Sequence, residues 1–485
     1  MKFSKKKIIK DTLIYTILPK ISVFAHLLVM PIISPYLSLN DYGIYGLLVA
    51  YLSVWQILIT LGQNIVLQNS FFEQRDNYAP TWRSSFGLMI LGGVICSLIF
   101  TAIIYFTMLD KIGSNWIWVC LMMGFNLILC PIETIAVNYY VLHEKSFPYA
   151  ICSTIVGCIA VLLNLITIKY LKLGFLGWII VLPVSTLIMY LYYAKRLFIE
   201  EKLYPSFRLK YTVIKESLKV GLPLVPHQLS LYMLGTSNRL LLEYSKTPLA
   251  QIGYYSQGYN MAAYSNVLIS GIFQSLSRQL QEGFRSETES ARVLIRKLII
   301  SVTLLITGTL FIACLWMKEA FLFLFRNPEL QKAYPATIII MSAYMYWSVY
   351  SFFVYPLSIK KQTFAISKIS MLAAAVNLVI SIILIPYLGV MAALIATYVS
   401  YVIFGFAGLL NKENRDLFNK YLNITKFCLV MLAINAIAFL VAYYLMDTAI
   451  FSKIVITSAL LIGILIVYVV YRKGLTGKFR NKLNI

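Results

Sequence analysis

The chain has 485 residues, 60% of them hydrophobic and 13% charged, with a formal net charge of +23. A water-soluble domain this apolar would expose more hydrocarbon than folding can hide, so the composition points to lipid as the solvent. The excess Lys and Arg sits in the gaps between apolar runs, with no zinc spacing or RNA-binding signature, and this placement excludes a nucleic-acid binder.

Inside a bilayer every backbone amide must bond internally, which leaves helical bundles or closed barrels. The apolar runs here are unbroken over about 20 residues, the length of a crossing helix, whereas barrel strands read as alternating segments of about 10. The expected fold is all-α and integral to the membrane, with about fourteen transmembrane helices. In chain order the first spans fall near 12–37, 43–69, 84–108, 115–142, 148–170 and 174–195. After a basic linker at 196–216 come spans near 217–242, 251–278, 294–316, 334–358, 363–386 and 388–409. Two more, near 424–446 and 449–471, precede a basic tail. The first run follows MKFSKKKIIK, is too long for a signal-peptide core and lacks a small-residue cleavage site, so it is expected to stay as the first helix. Seven cysteines (Cys96, Cys120, Cys130, Cys152, Cys158, Cys314 and Cys428) all lie in apolar runs, where they act as small hydrophobes rather than as a disulfide framework.

With the amino terminus placed in the cytoplasm, the inside segments hold 32 of the Lys and Arg residues and the outside segments hold 8. That asymmetry sets both termini inside. An internal repeat is also visible. Asp41-Tyr-Gly-Ile-Tyr45 opens the second span, and Gln251-Ile-Gly-Tyr-Tyr255 opens the eighth, 210 residues later. Asn164-Leu165 followed by Leu173-Gly174 recurs as Asn377-Leu378 followed by Leu388-Gly389, at offsets of 213 and 215. Each offset covers six spans, an even number, so both copies point the same way. The division expected is a six-helix lobe at 1–195, a cytoplasmic linker at 196–216, a second six-helix lobe at 217–410, and two added helices with a tail at 411–485.

Enzyme signatures are sparse. No Gly-rich loop ending in Gly-Lys-Ser/Thr is present, the three histidines (His26, His143, His227) have no ligand-spaced partners, and no long outside loop offers a catalytic domain. The expectation is no enzyme, no metal and no cofactor. What remains are polar residues within spans, which are costly in lipid and therefore candidates for function. Arg239, in Ser237-Asn-Arg-Leu-Leu-Leu-Glu243, stays charged and must face a partner or a wet cavity. It either pairs with Glu243 four residues on or lines a cavity for an anionic substrate. Lys20 in span one either snorkels to the surface or joins that cavity. His26 and His227 are packing residues or titrating groups. Glu133, the carboxylate placed nearest mid-membrane, either bonds a neighbouring helix in its protonated form or exchanges a proton in coupling. It shares an expected helix face with Asn126 and Tyr140 at seven-residue spacing. Gln56, Gln63 and Asn64 in span two, with Asn126 and Asn238, either line a polar cavity or join helices.

Several stretches resemble the Wzx-type polysaccharide flippases, the O-antigen (lipopolysaccharide) and capsule exporters of the multidrug/oligosaccharidyl-lipid/polysaccharide (MOP) superfamily. They are Leu37-Ser-Leu-Asn-Asp-Tyr-Gly-Ile-Tyr45, Gly221-Leu-Pro-Leu-Val-Pro226, Ser237-Asn-Arg239, Ile252-Gly-Tyr-Tyr-Ser256, and Asn377-Leu with Pro386-Tyr-Leu-Gly389. One departure is Asn238, where relatives often carry Asp. The resemblance implies a multi-pass protein of the bacterial cytoplasmic (inner) membrane. Its cargo would be an undecaprenyl-pyrophosphate-linked oligosaccharide, moved between leaflets by alternating access. The implied partners are membrane lipids and glycan polymerase or other assembly proteins. Rival readings are a multidrug exporter of the same superfamily, a flippase for the peptidoglycan precursor, and a membrane glycan polymerase or acyltransferase.

Overall fold

The computed structural model describes residues 25–459 except 74–76, 144, 209–210, 287 and 361. Lys20, the first half of the first expected span, the end of the last one and the basic tail lie outside the described residues. The helices of the first half are α1 (Ala25–Tyr36), α2 (Leu39–Thr60), α3 (Gln63–Glu73), α4 (Ala79–Ile112), α5 (Trp116–Leu129), α6 (Pro131–Leu142), α7 (Ser146–Asn164) and α8 (Phe175–Ala194). After residues 201–208 come α9 (Tyr211–Gly221), α10 (Val225–Gly235), α11 (Ser237–Tyr244), α12 (Leu249–Arg285), α13 (Glu289–Leu315), α14 (Met317–Leu324) and α15 (Pro328–Gln331). The second half continues with α16 (Tyr334–Tyr344), α17 (Trp347–Ile359), α18 (Thr363–Leu388), α19 (Val390–Phe406), α20 (Lys412–Asn419), α21 (Ile424–Leu445) and α22 (Ile450–Ala459). The described residues contain no strand.

The fold is all-α, and nine helical runs among the described residues are long and apolar enough to cross a membrane. The run Ala79–Leu142 holds two of the expected spans, because the chain reverses at Gly113 (φ 55°) and α5 packs back along α4. The count of fourteen remains an expectation. Large apolar side chains face outward along whole helices: Leu98 and Phe106 on α4 are 69% and 82% exposed, and Val379, Ile382 and Ile383 on α18 and Ile437 on α21 are exposed too. An apolar surface of that extent suits hydrocarbon, not water.

The centre of the molecule is the seam between α2 and α12, which joins the two halves. Three glycines let the helices approach until backbone meets backbone. A Cβ on Gly43 would overlap Leu249, one on Gly253 would overlap the Leu39 carbonyl, and one on Gly46 would overlap Ser256. Asp41 organises the same end of the seam. It closes a capping box with Ser38 (Ser38 N to Oδ2, 2.8 Å), and its Oδ1 accepts the Phe175 amide of α8 at 2.9 Å. The corner that presents that amide is Gly174, with φ 54° and ψ −130°. Gly389, which opens α19, has φ 54° and ψ −128°, and the amide oxygen of Gln251 lies beside it. The two repeat motifs thus occupy matching corners, one bonded by the Asp41 carboxylate and the other flanked by the Gln251 side chain.

Helices α21 and α22 are fastened to the second half by polar contacts. Thr307 bonds Asn435 at 2.9 Å, Lys318 pairs with Asp447 at 2.6 Å, and the buried Lys453 pairs with Glu319 at 2.7 Å.

Candidate functional site between the two halves

The helix that carries Arg239 is short because the chain leaves helical geometry just before it. Thr236 has φ −131° and ψ −26°, and it separates α10 from α11. Packing supplies a reason for the close fit here: a Cβ on Gly235 would lie 2.6 Å from the Tyr259 hydroxyl of α12. Ser237 then bonds back to the Met233 carbonyl at 2.6 Å.

From this eight-residue helix, successive side chains face different partners. Asn238 points into the second half and is 1% exposed. Its Nδ2 lies 2.9 Å from Thr397 Oγ1 and 3.2 Å from the Ala393 carbonyl, while its Oδ1 accepts from Ser381 at 2.8 Å. It ties α11 to α18 and α19 in a buried knot. Arg239 lies against the central seam, with its Cδ alongside Gly46 of α2. It is 3% exposed. Its Nη2 donates to Asn260 Oδ1 at 3.0 Å, its guanidinium stands 5.0 Å from the ring centroid of Tyr259, and its Nε has no partner. Among the described residues no carboxylate pairs with it.

Glu243 is not the partner of Arg239. Its carboxylate receives Lys111 Nζ from the end of α4, and the Tyr51 hydroxyl of α2 at 2.8 Å. Both partners belong to the first half, so this ion pair crosses the seam. The same end is also held by Asn327 Nδ2, bonding the Leu37 carbonyl at 2.7 Å, and by Ser34 Oγ, accepting the Arg326 amide at 2.9 Å.

At the opposite end the halves meet differently. Leu61 (φ 41°) and Gly62 (φ 70°) break the chain between α2 and α3, and the break lies against Gly221, where α9 ends. A Cβ on Gly62 would overlap the Gly221 carbonyl, and one on Gly221 would overlap the Leu61 carbonyl. Beside this crossing a cavity of about 160 Å³ is lined by Ile65 and Asn69 of α3 and by Val220, Leu224 and Phe364 of the second half. It carries no charged side chain. Among the described residues Arg239 is enclosed, with contacts between the halves toward either end, and it does not face the open basic cavity that the sequence led us to expect.

The remaining candidates are dispersed. His26 bonds the Tyr264 hydroxyl across the seam at 3.2 Å, and His227 bonds Ser370 of α18 at 2.8 Å; both rings are half-buried. Asn64 accepts from Asn138 of α6 at 2.9 Å, and Asn126 donates to Thr186 of α8 at 2.7 Å, so each joins helices. Gln63 is fully buried with neither amide atom bonded, and Gln56 is half-buried on α2. The shared face expected for Asn126, Glu133 and Tyr140 does not form. Asn126 and Tyr140 are buried while Glu133 is exposed. Pro131, at the first position of α6, interrupts the helix that the seven-residue spacing assumed. Sequence reasoning missed Lys111, Tyr51, Asn260 and Tyr259, whose roles arise only from long-range packing. Lys111 is one of the eight Lys and Arg residues of the outside segments, and that placement is the one signal the sequence offers.

The chain matches the polysaccharide biosynthesis protein family over residues 8–277. It belongs to that family. Its fold is shared with solved transporters. The lipid II flippase MurJ, in an inward closed conformation, aligns with a TM-score of 0.63 at 14% identity, covering 90% of this chain and 98% of that one. A multidrug resistance MATE family transporter of the MOP superfamily, inward-facing, aligns at 0.60 with 12% identity, covering 84% and 99%. A mutant MATE transporter of Vibrio cholerae aligns at 0.53 with 15% identity, covering 86% and 98%. No curated protein sequence matches the chain.

Proposed function

We propose that this protein is a flippase. Its cargo would be an undecaprenyl-pyrophosphate-linked oligosaccharide, carried from the cytoplasmic to the outer leaflet of the bacterial inner membrane by alternating movement of two six-helix lobes, 1–195 and 217–410. The observation that carries the reading is Arg239: a permanent charge buried on the seam between the halves with an amide and a ring for company and, among the described residues, no carboxylate. A charged side chain near mid-membrane costs about 2.5–3.5 kcal/mol on insertion scales, so it is kept where its charge is used. A diphosphate cannot cross hydrocarbon unaided, and a guanidinium fork matches its oxygens. Family membership supports a glycan-linked cargo, and the two-ended closure around Arg239 supports movement between states. In this reading Lys20 adds a second cation, both termini are cytoplasmic, and the end bearing Asp41, Lys111 and Glu243 faces outward.

A cation would not be stabilised by this arginine, which disfavours the multidrug reading. The test is export in cells that depend on this chain for a surface glycan. Arg239→Ala should lower export by about two orders of magnitude, the loss expected for a buried charge pairing, with the protein still in the membrane. Arg239→Lys should recover only part of it, because an ammonium lacks the planar fork. Undiminished export by Arg239→Ala would reject the cargo role.

A further inference from the structure

Arg239 and Glu243 lie one turn apart on the same short helix, and each faces the first half. Residues four apart share a helix face, so a displacement felt by one is felt by the other. Helix α11 is bounded on both sides, so it can shift against the first half together with the parts of α18 and α19 that Asn238 knots to it. Thr236 breaks it from α10, and after Ser245 the chain runs through Pro248 before α12 begins. The carboxylate of Glu243 is 9% exposed and is satisfied by Lys111 and Tyr51, both from the first half. At the level of Arg239 there is no spare space. Its Cδ and Ser256 both crowd the space where a side chain on Gly46 would stand.

We propose that α11 couples cargo to gating. The Lys111–Glu243 pair latches the two halves at the Asp41 end, and an anionic diphosphate taken up by Arg239 releases that latch by displacing α11 from α2 and α4. The release rests on the cargo reading of Arg239; the latch does not. Two effects act in the same direction. Making room for the anion beside Gly46 moves α11 off the seam, and a dianion one turn away repels the Glu243 carboxylate. Glu243 is a positioning residue in this scheme and touches no cargo.

The experiment uses the full chain in proteoliposomes with Ser256→Cys as reporter. Ser256 is fully buried beneath the Asp41 closure, and a membrane-impermeant maleimide added at that side reaches it only when the end opens. Lys111→Glu, Glu243→Lys and the milder Glu243→Gln should each raise the labelling rate about fivefold or more, and the doubly reversed Lys111→Glu/Glu243→Lys should return it to the parental rate. Labelling unchanged in the single variants, or a double variant as reactive as the singles, overturns the latch. Geranylgeranyl diphosphate in the vesicles, with its binding measured alongside, should raise parental labelling by a similar factor and have no effect on Arg239→Gln. Binding that requires Arg239 but leaves labelling unchanged overturns the release and spares the cargo reading. An absence of binding overturns the cargo reading and the release together, and the charge reversal then judges the latch alone.

Discussion

The two ends of the seam share close glycine contacts and differ in the polar links that one of them adds. At the Asp41 end the halves are joined by an ion pair and by side-chain bonds to backbone groups, through Lys111, Glu243, Asn327 and Ser34. At the Gly62 end two backbones touch through facing glycines, next to an uncharged cavity. Polar links are directional and are replaceable by water or by another ion, so the Asp41 end can be opened by a competitor. A glycine contact rests on shape and dispersion alone, lost steeply with separation, so the Gly62 end responds to displacement rather than to charge.

That contrast is open to attack by substitution, and the steric end should give the largest response. Gly221→Val places a branched side chain against the Leu61 carbonyl and Gly62, and overpacking of this kind costs about 1–3 kcal/mol. Disulfide bridging between Ile65→Cys and Leu224→Cys, which face the same cavity, should then fall about tenfold or more, with the Asp41 end still closed. Bridging at the parental rate would show that the glycines do not set this closure. A smaller change is expected from Asn327→Ala, which removes the bond to the Leu37 carbonyl at a cost of about 1 kcal/mol. Labelling of Ser256→Cys should rise about two- to fivefold, below the effect of charge reversal at Glu243. A response equal to that of the charge reversal would place the latch in the wrong bond.

The smallest effect concerns Asp447, in the turn after α21. The Lys318 ammonium, helped by the Tyr334 hydroxyl, holds its carboxyl below the ordinary aspartate range. A depressed folded value means that this contact stabilises the fold above the ordinary carboxylate range and is lost as the pH falls through that lowered value. The pair is exposed, so the effect should stay below about 1 kcal/mol. Asp447→Asn should melt slightly lower than the parent near neutral pH, and the gap should close in acid. A gap that persists through strong acid would assign the difference to something other than the ion pair.

Local patterns disclosed the fold class well. Hydropathy is a property of consecutive residues, and the repeated Gly174 and Gly389 corners sit beside motifs that are short and contiguous. The boundaries of the polar sites were another matter. Glu243 meets Lys111 across 132 residues of chain, and nothing near either residue announces the other. The break at Leu61 uses a left-handed conformation that leucine seldom adopts, so only Gly62 hinted at it. The face drawn through Asn126, Glu133 and Tyr140 failed for a reason that was on view, since Pro131 lies inside the stretch treated as one straight helix. Arg239 was legible as a buried cation because charge in an apolar run is conspicuous. Its freedom from Glu243 emerged only when Lys111 arrived to claim that carboxylate.

The glycine contacts of α2 are gathered near one extremity, at Gly43 and Gly46, while Thr60 marks the other. At 1.5 Å per residue, the arm from Gly46 to Thr60 measures about 21 Å. Pivoting by about 10° on so close a fulcrum sweeps the far tip through an arc of roughly 4 Å, wide enough to part Gly62 from Gly221. A rotation of this size about Gly43 and Gly46 would part Gly62 from Gly221 while the Asp41 end stays latched.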